Sequence, residues 1–172
     1  MRNAAANREE PAPARLLRAR RKAHSAVRHV NTILVIEDDA EMRRLLAHTL
    51  ERAGYAVVTA RSGGEAVEWL GLSVFDGSLE NAPDLIVSDI RLPDFSGLDL
   101  LEAMIPALER VPMILITGFP SPETFSEALE RGAARLLEKP FEMEALRGCV
   151  RDVLREHTAL AARAGSPRPR RT

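Results

Sequence analysis

Five side chains in this sequence could do chemistry together if the fold gathered them: Glu37, Asp38, Asp89, Thr117 and Lys139. Each stands at the end of a short apolar run. TILVI leads into Glu37 and Asp38, LIVS into Asp89, MILI into Thr117, and the run from Ala134 to Leu137 into Glu138 and Lys139. Carboxylates are hard oxygen ligands and suit Mg²⁺, which takes few protein ligands and keeps several waters. An ammonium and a hydroxyl beside such an ion suit a phosphoryl group, pairing with one oxygen and bonding to another. An aspartate can itself be the nucleophile and become an aspartyl phosphate. Phosphoryl transfer asks mainly for positioning and charge neutralisation, and this set supplies both.

Singly, these residues have bland readings. A lone lysine is normally solvated. A strand-end threonine is normally satisfied by backbone, and an aspartate before a turn normally caps it. The run Glu37-Asp38-Asp39 is different, because three adjacent acids repel one another without a cation. Within it, Asp39 is placed to cap a helix rather than to bind metal.

The elements that must position these groups follow from period and punctuation. Apolar runs bounded by turn residues predict buried strands at Thr32 to Ile36, Tyr55 to Ala60, Leu85 to Asp89, Pro112 to Thr117 and Ala134 to Leu137. Met42, Leu45, Leu46, Thr49, Leu50 and Ala53 form one helical stripe, opened by Asp39 and closed by Gly54. A capping box at Ser62 and Glu65 opens a second helix through Ala66, Val67, Trp69 and Leu70. Ser96 opens a third through Leu98, Leu101 and Met104, limited by Pro106. Ser121 with Pro122 opens a fourth, with Phe125, Ala128 and Leu129 as its apolar face and Gly132 as its stop. Met143, Leu146, Val150, Val153 and Leu154 define a fifth that fades near His157. The stretch from Gly71 to Pro83 reads as a long connection containing an insertion.

Strand then helix, five times over, requires a parallel sheet with helices on both faces and right-handed crossovers. All strands then share one carboxyl edge, where open α/β sheets bind ligands. Asp89 and the other four groups fall on that edge.

Composition sets the outer limits. The 172 residues are 45% apolar but only 4% aromatic, so the core must be aliphatic. They divide into a basic tail over residues 1–30, a domain over 31–157 and a second basic tail over 158–172, with little structure expected in either tail. The net charge of −1 hides segregation: the tails carry 12 Lys or Arg against two Glu, leaving the middle at −11. An acidic middle suits cation binding. The arginines of the tails are not interleaved with aromatics, so nucleic-acid binding is not expected. Cys149 is the sole cysteine and His24, His29, His48 and His157 have no ligand spacing, which excludes a Cys or His metal framework and an internal disulfide. That usage suits a reducing cytoplasm. No apolar run reaches membrane-spanning length, and no signal peptide is evident.

With these residues in hand, the chain resembles a response-regulator receiver domain. The resemblance is carried by Glu37-Asp38 after ILVI, SDIRLPDFSG around Asp89, Thr117-Gly118, and EKPF from Glu138 to Phe141, over about Thr32 to Glu156. It implies the flavodoxin-like (βα)5 fold with strand order 2-1-3-4-5. It also implies roles: Asp89 accepts phosphate from a phosphohistidine on a sensor histidine kinase or histidine phosphotransfer protein. Asp38, Asp89 and the backbone carbonyl of Arg91 bind Mg²⁺, and Glu37 acts through a bound water. Thr117 and Lys139 bind the phosphoryl oxygens, and the Lys139–Pro140 bond is cis. Such a protein is a phosphoacceptor in a two-component relay with at most self-catalysed phosphotransfer and dephosphorylation, not an enzyme with a separate substrate.

Two departures bear on switching. Three residues before the lysine such domains usually carry an aromatic, and here it is Leu136, which predicts a weaker outward relay with the phosphate pocket untouched. From Asp38 to Asp89 the chain is several residues longer than usual, through the Gly71 to Pro83 stretch. No output domain is expected after His157, so signalling would run through protein contacts to a downstream target, with a homodimer left open. Two other readings use the same residues: a phosphorylation-independent interaction module, and a Mg²⁺-dependent phosphohydrolase. Against the hydrolase, Arg91 stands two residues after Asp89, where a second acid would be wanted.

Overall fold

The computed structural model describes residues 30–75, 82–104 and 111–164. All but the last residue of the expected tail over residues 1–30, residues 76–81 of the expected Gly71 to Pro83 connection, the limit at Pro106 and the end of the chain beyond residue 164 lie outside those residues. The five apolar runs form five strands: β1 (Thr32–Ile36), β2 (Ala56–Ala60), β3 (Leu85–Asp89), β4 (Met113–Thr117) and β5 (Arg135–Glu138). All neighbours pair in parallel, in the order β2-β1-β3-β4-β5. The helices between and after them are α1 (Ala40–Arg52), α2 (Gly63–Phe75), α3 (Gly97–Ala103), α4 (Pro122–Glu130) and α5 (Met143–Ala164).

Strand alternation divides the core in two, because successive side chains point to opposite faces. Leu34, Ile36, Ile86, Met113 and Leu115 pack with Ala66, Leu70, Leu100, Leu101 and Ala128, on the face covered by α2, α3 and α4. Ile33, Val35, Leu85, Val87, Ile114 and Ile116 pack with Leu46, Leu50, Leu146, Val150 and Val153, on the face covered by α1 and α5. Strands β3 and β4 are buried at every position, as expected of parallel strands covered on both sides, whereas the edge strands β2 and β5 are partly exposed.

The expected caps hold. The Asp39 carboxylate accepts from Glu41 and Met42 N–H, and Ser96 with Asp99 makes a full capping box. Ser121 caps α4 with Pro122 in its first turn. Gly54 and Gly132 follow α1 and α4 at φ 93° and 96°, the left-handed conformation that glycine adopts without a Cβ clash. The Ser62 box is only half made: Ser62 Oγ accepts Glu65 N–H at 3.1 Å, but the Glu65 carboxylate takes Arg61 N–H instead.

Two helices run further than the sequence reading allowed. α2 does not stop at Gly71 but continues to Phe75. A single glycine costs a helix only about 1 kcal/mol, too little to stop it before Leu72, Val74 and Phe75. Likewise α5 does not fade near His157 but reaches Ala164. The segment there is alanine-rich, and alanine is the strongest helix former.

Candidate functional site

The chain order reverses between β1 and β3, and the carboxyl ends of those two strands lie side by side. Ile36 pairs with Ser88, so Glu37 and Asp89, one residue on, leave the sheet together. Asp89 pairs with Ile116 on the other side, which brings Thr117 to the same edge. Thr117 pairs with Glu138, and the Lys139 N–H donates to the Thr117 carbonyl at 2.7 Å. The sheet register alone therefore sets Glu37, Asp89, Thr117 and Lys139 along one edge, and Asp38 follows Glu37.

The side chains converge further. One carboxylate oxygen each from Glu37, Asp38 and Asp89 lies within 4.8 Å of the others. The Lys139 ammonium donates to Glu37 Oε2 at 2.8 Å and to Asp89 Oδ2 at 2.5 Å. Glu37 is 1% exposed and Asp89 6%, while Asp38 is open to solvent. Asp89 Oδ1 also accepts the Arg91 N–H at 2.7 Å. Among the described residues, no hydrogen bond or ion pair reaches the Asp38 carboxylate.

One ammonium shared by two nearly buried carboxylates does not balance them. Burial pushes the Glu37 carboxyl above its usual range; the Lys139 hydrogen bond pulls it back and the Asp89 charge pushes it up again. Burial alone would lower the Lys139 ammonium, but the hydrogen bonds and charges of Asp89 and Glu37 outweigh it and hold it above its usual value. The two shifts have different main causes, burial for Glu37 and the paired acids for Lys139, and both reflect a partly dry site with more acids than bases. The three acids against one lysine leave it two charges negative, which fits a hard divalent cation, and the Asp38 carboxylate, without a partner among the described residues, is a ready oxygen donor for one.

Thr117 is 3% exposed, and its Oγ1 accepts the Phe119 N–H at 3.1 Å. The expected backbone bond is made, yet a hydroxyl that accepts still has its own O–H to give. The arrangement thus offers a metal-sized acidic cluster, an ammonium already on Asp89, and a hydroxyl donor at the next strand end. These are the parts that phosphoryl transfer needs. Of the remaining residues singled out, Arg91 sets its guanidinium over the Phe119 ring at 3.6 Å, Leu136 is half-buried against the α2–α4 core, and the Lys139–Pro140 bond is cis.

Sequence reasoning missed three supports. Arg43 Nη1 donates to the carbonyls of Glu37 and Asp38 at 2.8 and 3.0 Å; its place one turn into the helix after the acidic pair was the available signal. Asp94 accepts the N–H groups of Gly63 and Gly64 at 3.0 and 2.6 Å and so caps α2 from 30 residues away. Gly97 lies so close to β3 that a Cβ there would sit 2.4 Å from the Asp89 carbonyl oxygen. Neither of the last two left a local trace in the sequence.

Known proteins are similar to this chain in sequence and in fold. The sequence profile of the response regulator receiver domain matches residues 33–151. The chain is 33% identical over 133 residues to the luminescence regulatory protein LuxO of Vibrio campbellii, covering 77% of this chain and 28% of that protein. It is 36% identical over 122 residues to the response regulator PilR of Pseudomonas aeruginosa, covering 71% and 26%. With the transcriptional regulatory protein KdpE of Mycobacterium tuberculosis it shares 32% over 129 residues, covering 75% and 53%. The chain therefore spans between about a quarter and a half of these relatives. Among solved structures, a CheY-like receiver domain protein from Methanospirillum hungatei superposes with a TM-score of 0.66 at 28% identity, covering 76% of this chain and 98% of that one. The chemotaxis response regulator CheY4 of Vibrio cholerae gives 0.61 at 29%, covering 72% and 98%. None of the described helices is long and apolar enough to cross a membrane. Profile, relatives and fold agree: this chain belongs to the response regulator receiver domain family, the signalling phosphoacceptors of two-component systems.

Proposed function

We propose that this chain receives a phosphoryl group on Asp89 from a phosphohistidine of a sensor histidine kinase or histidine phosphotransfer protein, and signals through protein contacts. The observation that carries this reading is the meeting of Glu37, Asp38 and Asp89 within 4.8 Å with the Lys139 ammonium on two of them. An Asp89 carboxylate oxygen attacks phosphorus, the P–N bond breaks, and the imidazole nitrogen leaves with the bonding pair. The product is a mixed anhydride at Asp89. Lys139, already paired with Asp89, turns its ammonium to a phosphoryl oxygen, and the Thr117 O–H donates to another. Asp38, Asp89 and the Arg91 carbonyl are the residues that would hold Mg²⁺, with Glu37 acting through a water. When bound, that ion neutralises charge on the transferring group. The setting is the cytoplasm, and no separate substrate is turned over beyond loss of the chain's own phosphate.

Incubation with acetyl phosphate and Mg²⁺, read by intact mass, tests this. The expected result is a gain of one phosphoryl group, abolished by Asp89→Asn. Leu136 favours one second reading, a receiver-like module that binds partners without phosphorylation, because a half-buried aliphatic side chain has no ring to swing between states. No mass gain in a chain that is folded and binds its partner would favour that reading.

A further inference from the structure

The loop between β1 and α1 carries two of the three acids, and its backbone is tied at nearly every point. The Glu37 N–H donates to the Ala60 carbonyl at 3.1 Å, and the Asp39 carbonyl accepts the Arg43 N–H at 2.9 Å. The Asp39 carboxylate holds Glu41 and Met42 N–H at 3.0 and 2.7 Å. The carbonyls of Glu37 and Asp38, which precede the helix, are held by a side chain instead. A single guanidinium nitrogen, Arg43 Nη1, donates to both. The Asp38 carboxylate takes no hydrogen bond or ion pair from any described residue.

We infer that Arg43 is a positioning residue for the cation site: it holds the loop by the Glu37 and Asp38 carbonyls so that the carboxylates of the same two residues stay close to Asp89 before any cation arrives. The inference rests on the Mg²⁺ site of the proposed function. Groups that orient a ligand without touching the metal commonly govern affinity as strongly as the ligands do, because a loop ordered in advance does not lose that freedom on binding. A guanidinium so near an acidic cluster also has an opposite effect, since its charge repels a cation. Its nitrogen contacts carbonyl oxygens rather than carboxylates, so the structure assigns it to the backbone, and positioning outweighs repulsion. The two effects differ in sign, which makes the assignment measurable.

The experiment is isothermal titration of the full chain with MgCl₂ alone, for the wild type, Arg43→Met, Arg43→Lys and Asp38→Asn. Arg43→Met is expected to weaken Mg²⁺ binding about tenfold, in the range found when a ligand-orienting group is lost. Arg43→Lys, whose ammonium has donors enough for both carbonyls, is expected to recover most of that loss. In the acetyl phosphate reaction the half-saturating Mg²⁺ concentration should rise for Arg43→Met while the rate at saturating Mg²⁺ stays put. A purely structural arginine would instead lower the thermal midpoint in EDTA and leave the affinity of the folded protein alone. Unchanged or tighter Mg²⁺ binding by Arg43→Met overturns the inference, as does an equal loss in Arg43→Lys. Should Arg43→Met not fold, Arg43→Ala, which has no donor and a strong helix propensity, carries the same test: weaker binding supports the inference and unchanged binding overturns it. If the wild type itself takes up no Mg²⁺ beyond Asp38→Asn, the proposed function falls and this inference falls with it.

Discussion

The two loops that bring acids to the site are built in opposite ways. The loop from Glu37 to Asp39 is secured mostly by its own neighbours, through the Asp39 cap and the Arg43 side chain. The loop from Ile90 to Ser96 is secured from a distance. Asp94 is anchored on the start of α2, the Phe95 ring lies where a Cβ on Gly63 would be, 2.5 Å from its nearest atom, and Gly97 closes against the Asp89 carbonyl. The Gly97 N–H also donates to the Ile90 carbonyl at 2.8 Å, pulling the loop shut. A loop held locally can be changed without disturbing the rest of the domain. A loop held by distant partners couples the Asp89 strand to α2, and damage to either end reaches the other.

The largest effect should come from Gly97→Ala. Its methyl would meet backbone at the Asp89 carbonyl, which cannot swing aside as a side chain can. Overpacking of this kind costs about 1–3 kcal/mol. Denaturant unfolding should show that loss, and phosphorylation from acetyl phosphate should slow as the Asp89 end of β3 shifts. Full stability in this variant would mean that the distant-support loop is more pliant than its contacts suggest. Next comes Asp39→Ala on the local loop, with loss of an N-cap worth about 1 kcal/mol and a matching fall in thermal midpoint confined to the frame of α1. Amide exchange should then quicken in the first turn of α1 and not in α2; faster exchange in α2 would erase the contrast between the loops.

The smallest effect is that of Asp94→Asn, and it depends on pH. Burial pushes the Asp94 carboxyl up, but the N–H bonds from Gly64, Phe95 and Gly63 together outweigh it and hold it below its usual value. A group held lower in the folded state than in the unfolded chain stabilises above the unfolded value and ceases to do so as pH falls through the folded one. Wild type should therefore be more stable than Asp94→Asn at neutral pH, with the gap closing in acid. A gap that widens in acid would contradict the assigned bonds. Because Asp94 is exposed, screening keeps the effect modest.

The contrast between the loops also explains what could be read before any coordinates. All five strands, the placement of Glu37, Asp38, Asp89, Thr117 and Lys139 on one edge, and four helix caps were legible from period, punctuation and capping, which are local; the strand order came only with the family resemblance. The flanking limits were less so: the sequence places a break at Gly71 and a fade at His157, and the helices pass both because one glycine costs a helix little and the stretch beyond His157 is alanine-rich. Asp94 was illegible as a support because its partners, Gly63 and Gly64, lie some 30 residues away, and the close approach of Gly97 to the Asp89 carbonyl shows only once the loop is folded back. Arg43 was within reach, five residues after Asp38, but only its carbonyl partners give it meaning.

The most direct measurement of the central claim is borohydride reduction after treatment with acetyl phosphate and Mg²⁺, followed by peptide mass mapping. Reduction converts an aspartyl phosphate to homoserine at the residue that carried it. The expected result is homoserine at position 89 alone, dependent on Mg²⁺ and lost in Asp38→Asn. Homoserine at another acid, or none anywhere in a folded chain that binds Mg²⁺, would contradict it.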